Sequence, residues 1–184
     1  MNNNFYLTFF VSIILAVITA IILPFSILGI VCGILFAQII EWFVHGWIQH
    51  HPFKIFKPYR DNQIYHHKHP SEPLSVQPVS YFLIGSVGLL APFYWFNGFY
   101  FGYFLTYIFI NLIHYDLHSD KRILPNFIWN TGYFRWITSH HEAHHKHIKL
   151  SYTTYSVTNP AIDVVFSKIK LNKLNNWIAK KLKI

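Results

Sequence analysis

A single cysteine, Cys32, set inside an apolar run, leaves this 184-residue chain without an internal disulfide or a cysteine-based zinc site. Charge is scarce as well: Asp and Glu number 7 and Lys and Arg 15, so charged residues make up 12% against 53% hydrophobic and 20% aromatic. A soluble domain of this length does not combine so little charge with so much apolar surface, and the composition predicts one membrane-embedded domain. A fixed-period repeat, a low-complexity tract and a glycine-rich phosphate loop are all missing, which sets aside solenoids and P-loop nucleotide enzymes. The opening Met-Asn-Asn-Asn lacks the basic region of a signal peptide and no small-residue cleavage site follows, so the first apolar run is expected to stay on the chain.

What the chain does have is long apolar runs. Residues 5–40 are almost uninterrupted apolar sequence. As one helix they would extend about 54 Å against a hydrocarbon core of about 30 Å, so the run must be divided. Pro24, Ser26 and Gly29 supply the break, giving spans at about 5–23 and 25–49 in a tight hairpin. Two further runs, 79–96 and 99–118, join through Asn97 and Gly98 as a second hairpin. The expected fold is all-α: four transmembrane helices in two hairpins, a loop over 50–78, and a histidine-rich helical cap and tail over 119–184.

All fifteen Lys and Arg fall between Lys54 and Lys68 or between Lys121 and Lys183, and the hairpin tips carry none. The positive-inside rule places both basic segments, with the N- and C-termini, on the cytoplasmic side. The net charge of +8 therefore points to a membrane surface and not to nucleic acid. Residues 161–184 alternate apolar positions with lysines at helical spacing, which suits an amphipathic helix on anionic lipid or an ordinary helix packed on the domain.

All thirteen histidines lie at or beyond that same face. His45 and His50 end the second span, and His66, His67 and His69 follow in the loop. His114 and His118 end the fourth span at i, i+4, and HHEAHHKH carries His140, His141, His144, His145 and His147. On a helix His141, His144 and His145 share one face. Imidazole is the commonest metal ligand among side chains, and four clusters at one depth exceed the four ligands that one structural zinc needs, so they predict a dinuclear centre. Leaving so many rings unsatisfied beside a bilayer would be costly. His51, His69, His140 and His147 are expected to be solvated or to support the ligands from behind.

The order His-x4-His, His-His, His-x3-His, His-x2-His-His on four spans resembles the fatty acid hydroxylase superfamily over roughly residues 41–168. That superfamily includes sterol desaturases, fatty acid 2-hydroxylases and β-carotene hydroxylases. The resemblance implies a non-haem centre of two iron ions, with zinc able to take the same ligands, that uses O2 and two electrons to hydroxylate or desaturate a lipid. Carried over by position, the ligands are His45, His50, His66, His67, His114, His118, His141, His144 and His145. The family's second cluster is usually His-x2-His-His, and Gln63 stands here in place of its first histidine, as a weak oxygen ligand, as a hydrogen-bond partner of a metal-bound water, or with His69 turning into the vacancy. Gly132 to Arg135, reading GYFR, looks like the β-carotene hydroxylases, whereas the stretch after HHEAHHKH looks like the fatty acid and sterol enzymes. With no cytochrome b5 module in the chain, a separate donor, a ferredoxin or a cytochrome b5-like protein with its reductase, is expected to deliver the electrons.

An unactivated C–H bond is beyond side-chain acid or base catalysis, so metal and oxygen must supply the oxidising power. Carboxylates near the ligands would fix their tautomers, and Glu41, Asp116 and Glu142 are the candidates. Other readings of the same residues are an electron carrier with haem between His45 and His114, a metal transporter or buffer, and a zinc hydrolase.

Overall fold

The computed structural model describes residues 3–22, 26–49, 57–71, 98–146 and 156–168. The expected third span, the two ends of the loop over 50–78 (residues 50–56, with His50 and His51, and 72–78), His147 and the tail beyond 168 lie outside the described residues. The described helices are α1 (Asn3–Ile22), α2 (Ile27–Trp42), a π-helical segment (Phe43–Ile48), α3 (Lys57–Lys68), α4 (Phe99–His118), α5 (Asn126–Trp129), α6 (Gly132–Lys146) and α7 (Pro160–Lys168). No strand occurs among the described residues. They contain one stretch, Ile27–His45, that is long and apolar enough to cross a membrane, and a shorter apolar helix, Phe10–Ile21.

The chain divides into two compact units, one of Met1–Gln38 with Pro73–Tyr115 and one of Ile39–Glu72 with Asp116–Ile184. In the first unit α1 and α2 turn large apolar side chains outward, Ile21 being 78% and Ile27 83% exposed. In water such a surface would drive association, whereas in lipid it is the ordinary outer face of a span. Two polar side chains here return to their own helix: Thr106 Oγ1 donates to the Gly102 carbonyl at 2.8 Å and Asn111 Nδ2 to the Tyr107 carbonyl at 2.7 Å. That satisfies them without water.

Two glycines let α2 and α4 touch backbone to backbone. A Cβ on Gly33 would come within 2.0 Å of the Phe99 carbonyl oxygen, and one on Gly102 within 2.2 Å of the Ile30 carbonyl oxygen. Phe36 then packs against Phe99 and Tyr103, with ring centroids 5.7 and 6.3 Å away. Since the obstruction is main chain and cannot rotate aside, Gly33→Ala is expected to cost more than the roughly 1–3 kcal/mol of an overpacked side chain. Thermal unfolding in detergent checks this, with Gly132→Ala, which meets nothing within 4 Å, as the control.

The second unit is built from short helices with clear starts. Thr131 caps α6, its Oγ1 accepting from Phe134 N at 3.4 Å, and Asn159 caps α7, its Oδ1 accepting from Ala161 N at 3.2 Å, with Pro160 as the first helical residue. Asp116 gathers the turn that leaves α4, accepting from Ile123 N at 2.7 Å, Leu124 N at 2.8 Å and Trp129 Nε1 at 3.3 Å. The face of α6 that is buried carries Ile137, His141 and His144, at the i, i+4, i+7 spacing of one helical stripe.

Candidate metal centre

Three elements of the second unit, together with the end of α4 from Asp116 onward, bring histidines together. The π-helical segment bears His45, α3 bears His66 and His67, the last residue of α4 is His118, and α6 bears His141, His144 and His145. The π segment follows α2 without a break and closes with Gln49 N donating to the Val44 carbonyl at 2.9 Å, an i to i−5 bond. This wider turn rotates later residues relative to an α-helix and so re-aims His45; π-bulges are frequent at functional sites.

Four of these rings, His66, His118, His141 and His145, offer one nitrogen each so that all four atoms lie within 4.8 Å of one another. His141 Nε2 is 2.7 Å from His118 Nε2 and 3.1 Å from His145 Nε2. The ring of His66 lies 4.5 Å from that of His118 and 4.9 Å from that of His145. A second set adjoins the first. The ring of His144 lies 4.6 Å from both His45 and His67, and His67 is 4.5 Å from His145. Buried Gln63 reaches into this second set, its Nε2 2.9 Å from His45 Nε2 and 3.2 Å from His67 Nε2.

Burial, with neighbouring imidazoles adding to it, pushes His66 down to about 2 and His145 down to about 3, and burial also lowers His67. These rings are therefore neutral at physiological pH, the protonation state in which imidazole binds a metal. Nitrogen lone pairs that converge inside a buried site suit a first-row transition ion, and the donor set fits either iron or zinc.

The other sequence candidates have different surroundings. His69 is exposed, stacked on Tyr65 with ring centroids 4.3 Å apart and its Nδ1 donating to the Tyr65 carbonyl at 3.1 Å. Glu142 is exposed, and half-buried His114, one turn before His118, belongs to the first unit. Asp116 holds the α4 turn as described, so it fixes the segment that ends in His118.

Glu41 and a residue that the sequence did not single out, Asp163, tie the ligand-bearing elements to the segment that enters α7. Glu41 Oε1 accepts from Val157 N at 2.5 Å and Thr158 N at 3.1 Å, and its Oε2 accepts from Thr158 Oγ1 at 2.6 Å. Asp163, 1% exposed, accepts from Trp42 Nε1 at 2.6 Å on one oxygen and from His140 Nε2 and Ser156 N, each at 2.7 Å, on the other. Trp42 also stacks on Phe166 at 4.1 Å. One carboxylate thus joins the helix leading to His45 with the helix carrying His141, His144 and His145. Asn159-Pro160 announces a helix start with an acid in its first turn, but nothing local says that this acid is buried.

Neither the curated proteins nor the solved structures give a match to the chain. The family model for fatty acid hydroxylase matches residues 30–168, a range that takes in every histidine of the centre, Gln63, Glu41 and Asp163. That family comprises membrane-associated, typically metal-dependent oxidoreductases of lipids, in keeping with the apolar Ile27–His45 stretch and the histidine cluster. By a match over most of its length, the chain belongs to the fatty acid hydroxylase family.

Proposed function

We propose that the protein is a membrane-bound non-haem di-iron oxygenase that hydroxylates or desaturates a lipid such as a fatty acyl chain, a sterol or a carotenoid. The observation that carries this reading is the convergence of His66, His118, His141 and His145, in a chain of this family, with His45, His67 and His144 beside them. Bound iron would supply the activation of O2 that an unactivated C–H bond demands. In a hydroxylation one oxygen atom enters the substrate and the other leaves as water, with two electrons and two protons consumed. A ferredoxin or a cytochrome b5-like protein with its reductase delivers the electrons.

The residues of the chain do the holding. Neutral imidazoles present lone pairs without first losing a proton, Asp163 and Glu41 hold the segments that carry them, and burial keeps bulk water from the site. Four spans in two hairpins, with both termini and the centre on the cytoplasmic side, bring the site to the membrane face, where an apolar chain enters from the bilayer. The basic residues flanking the spans support that orientation.

Expression in an iron-replete host, followed by metal analysis and mass spectrometry of total lipids, tests the reading. The expected result is iron bound to the purified protein and a lipid that has gained one oxygen atom or lost two hydrogens. Less than one transition-metal ion per chain, or a lipid profile identical to that of a host without the protein, would defeat it.

A further inference from the structure

Gln63 is 3% exposed, and its amide end lies between two imidazole nitrogens, His45 Nε2 at 2.9 Å and His67 Nε2 at 3.2 Å. A side-chain NH2 that donates to both rings needs a lone pair directed at it from each. The amide nitrogen thus marks the spot on which two imidazole lone pairs converge, and His144 packs against both of those rings. Such a spot suits a cation. An amide has an oxygen and a nitrogen of nearly the same size at its two ends, so a half-turn of Gln63 replaces a donor by an acceptor oxygen in the same place.

The two sets of rings therefore differ in chemistry. Around His66, His118, His141 and His145 all four facing atoms are imidazole nitrogens. Around His45, His67 and His144 the fourth polar group among the described residues is a neutral amide. Carbonyl oxygen is a harder and poorer donor than imidazole toward iron, cobalt or zinc. To receive an ion there, the amide must also give up its two hydrogen bonds to His45 and His67.

We infer that Gln63 makes the centre unequal: the His45, His67 and His144 half takes a divalent first-row metal with the Gln63 amide oxygen as its fourth contact, and holds it more weakly than the four-imidazole half. This rests on the metal-centre reading above. The inequality sets an order of filling, with the four-imidazole half loading first and the Gln63 half occupied only when metal is plentiful.

Cobalt(II) titration of metal-depleted full-length protein in detergent tests it, followed by bound cobalt per chain and by the visible d–d absorption of the ion. The expected isotherm has one tight equivalent and a second at least about tenfold weaker. Gln63→His is expected to close that gap and to shift the absorption of the second equivalent alone, because an oxygen ligand becomes a nitrogen. Gln63→Leu should weaken the second equivalent further and leave the first untouched. One equivalent in the native protein and two in Gln63→His would support the inference as its limiting case. Two equal equivalents in the native protein, or a second equivalent indifferent to all three side chains, would overturn it while leaving the metal centre in place. Absence of any cobalt binding would instead remove the metal-centre reading itself.

Discussion

Replacing His145 with Ala is expected to strip metal from the four-imidazole half and reduce lipid oxidation to background. His145 is the ring at which the two sets meet. Its centroid lies 4.7 Å from those of His118 and His141, 4.9 Å from His66 and 4.5 Å from His67, and its Nε2 is 3.1 Å from His141 Nε2. Loss of a group that merely orients a ligand costs roughly 10–100-fold in metal affinity or activity. A ring that itself supplies one of the four converging nitrogens, and also packs against the second set, should cost more than the upper end of that range. Bound metal per chain and product formed from a lipid extract are the readouts, and circular dichroism shows whether the helices persist. Glu142→Ala, three residues earlier on the exposed side of the same helix, should leave both readouts unchanged. If His145→Ala keeps most of its metal and activity, the four-imidazole half is not the functional centre.

The different fates of these residues show what a sequence carries. That His141, His144 and His145 share a face follows from helical spacing alone, which is local, and the clusters point to the family because their order along the chain is itself a signature. The convergence of His66 with His118, His141 and His145 needed three elements to meet; the common depth of the clusters anticipated a shared centre, and the resemblance named these rings among its ligands. The π turn at Phe43–Ile48 left no trace that periodicity detects, since one residue added to one turn is within the scatter of an apolar run. Asp163 was illegible for a different reason. Its partners Trp42 and His140 lie 121 and 23 residues away, and an acid in the first turn of a helix is ordinary by itself. Gln63 was visible as an exception to the family's pattern, but its place between His45 and His67 is a fact of tertiary structure. Glu41 is legible in the sequence as a candidate for fixing ligand tautomers, whereas in the structure its carboxylate holds Val157 and Thr158.

The second large effect is expected at Asp163. This carboxylate is buried and serves as an acceptor for three donors on three segments, so any replacement leaves indole, imidazole or main-chain N–H groups facing nothing. A buried donor left unsatisfied costs about 1–3 kcal/mol, and Asp163→Ala, which strands three of them, should cost at least about 3 kcal/mol. Asp163→Asn is the sharper probe. It matches the shape but offers a single oxygen, so its NH2 must confront either Trp42 Nε1 or the pair of His140 Nε2 and Ser156 N. Two donors in contact are worse than a missing bond, which puts Asp163→Asn close to Asp163→Ala and not close to the native protein. Trp42→Phe removes one donor while keeping a ring against Phe166, and should cost only about 1 kcal/mol. The expected order of unfolding midpoints is therefore native, then Trp42→Phe, then Asp163→Asn, then Asp163→Ala. Metal retention should follow the same order, dropping about 10–100-fold for the two Asp163 variants because the helix leading to His45 and the helix bearing His141 lose their common anchor. A thermally stable Asp163→Asn protein with native metal affinity would show that the two helices hold their register without this carboxylate.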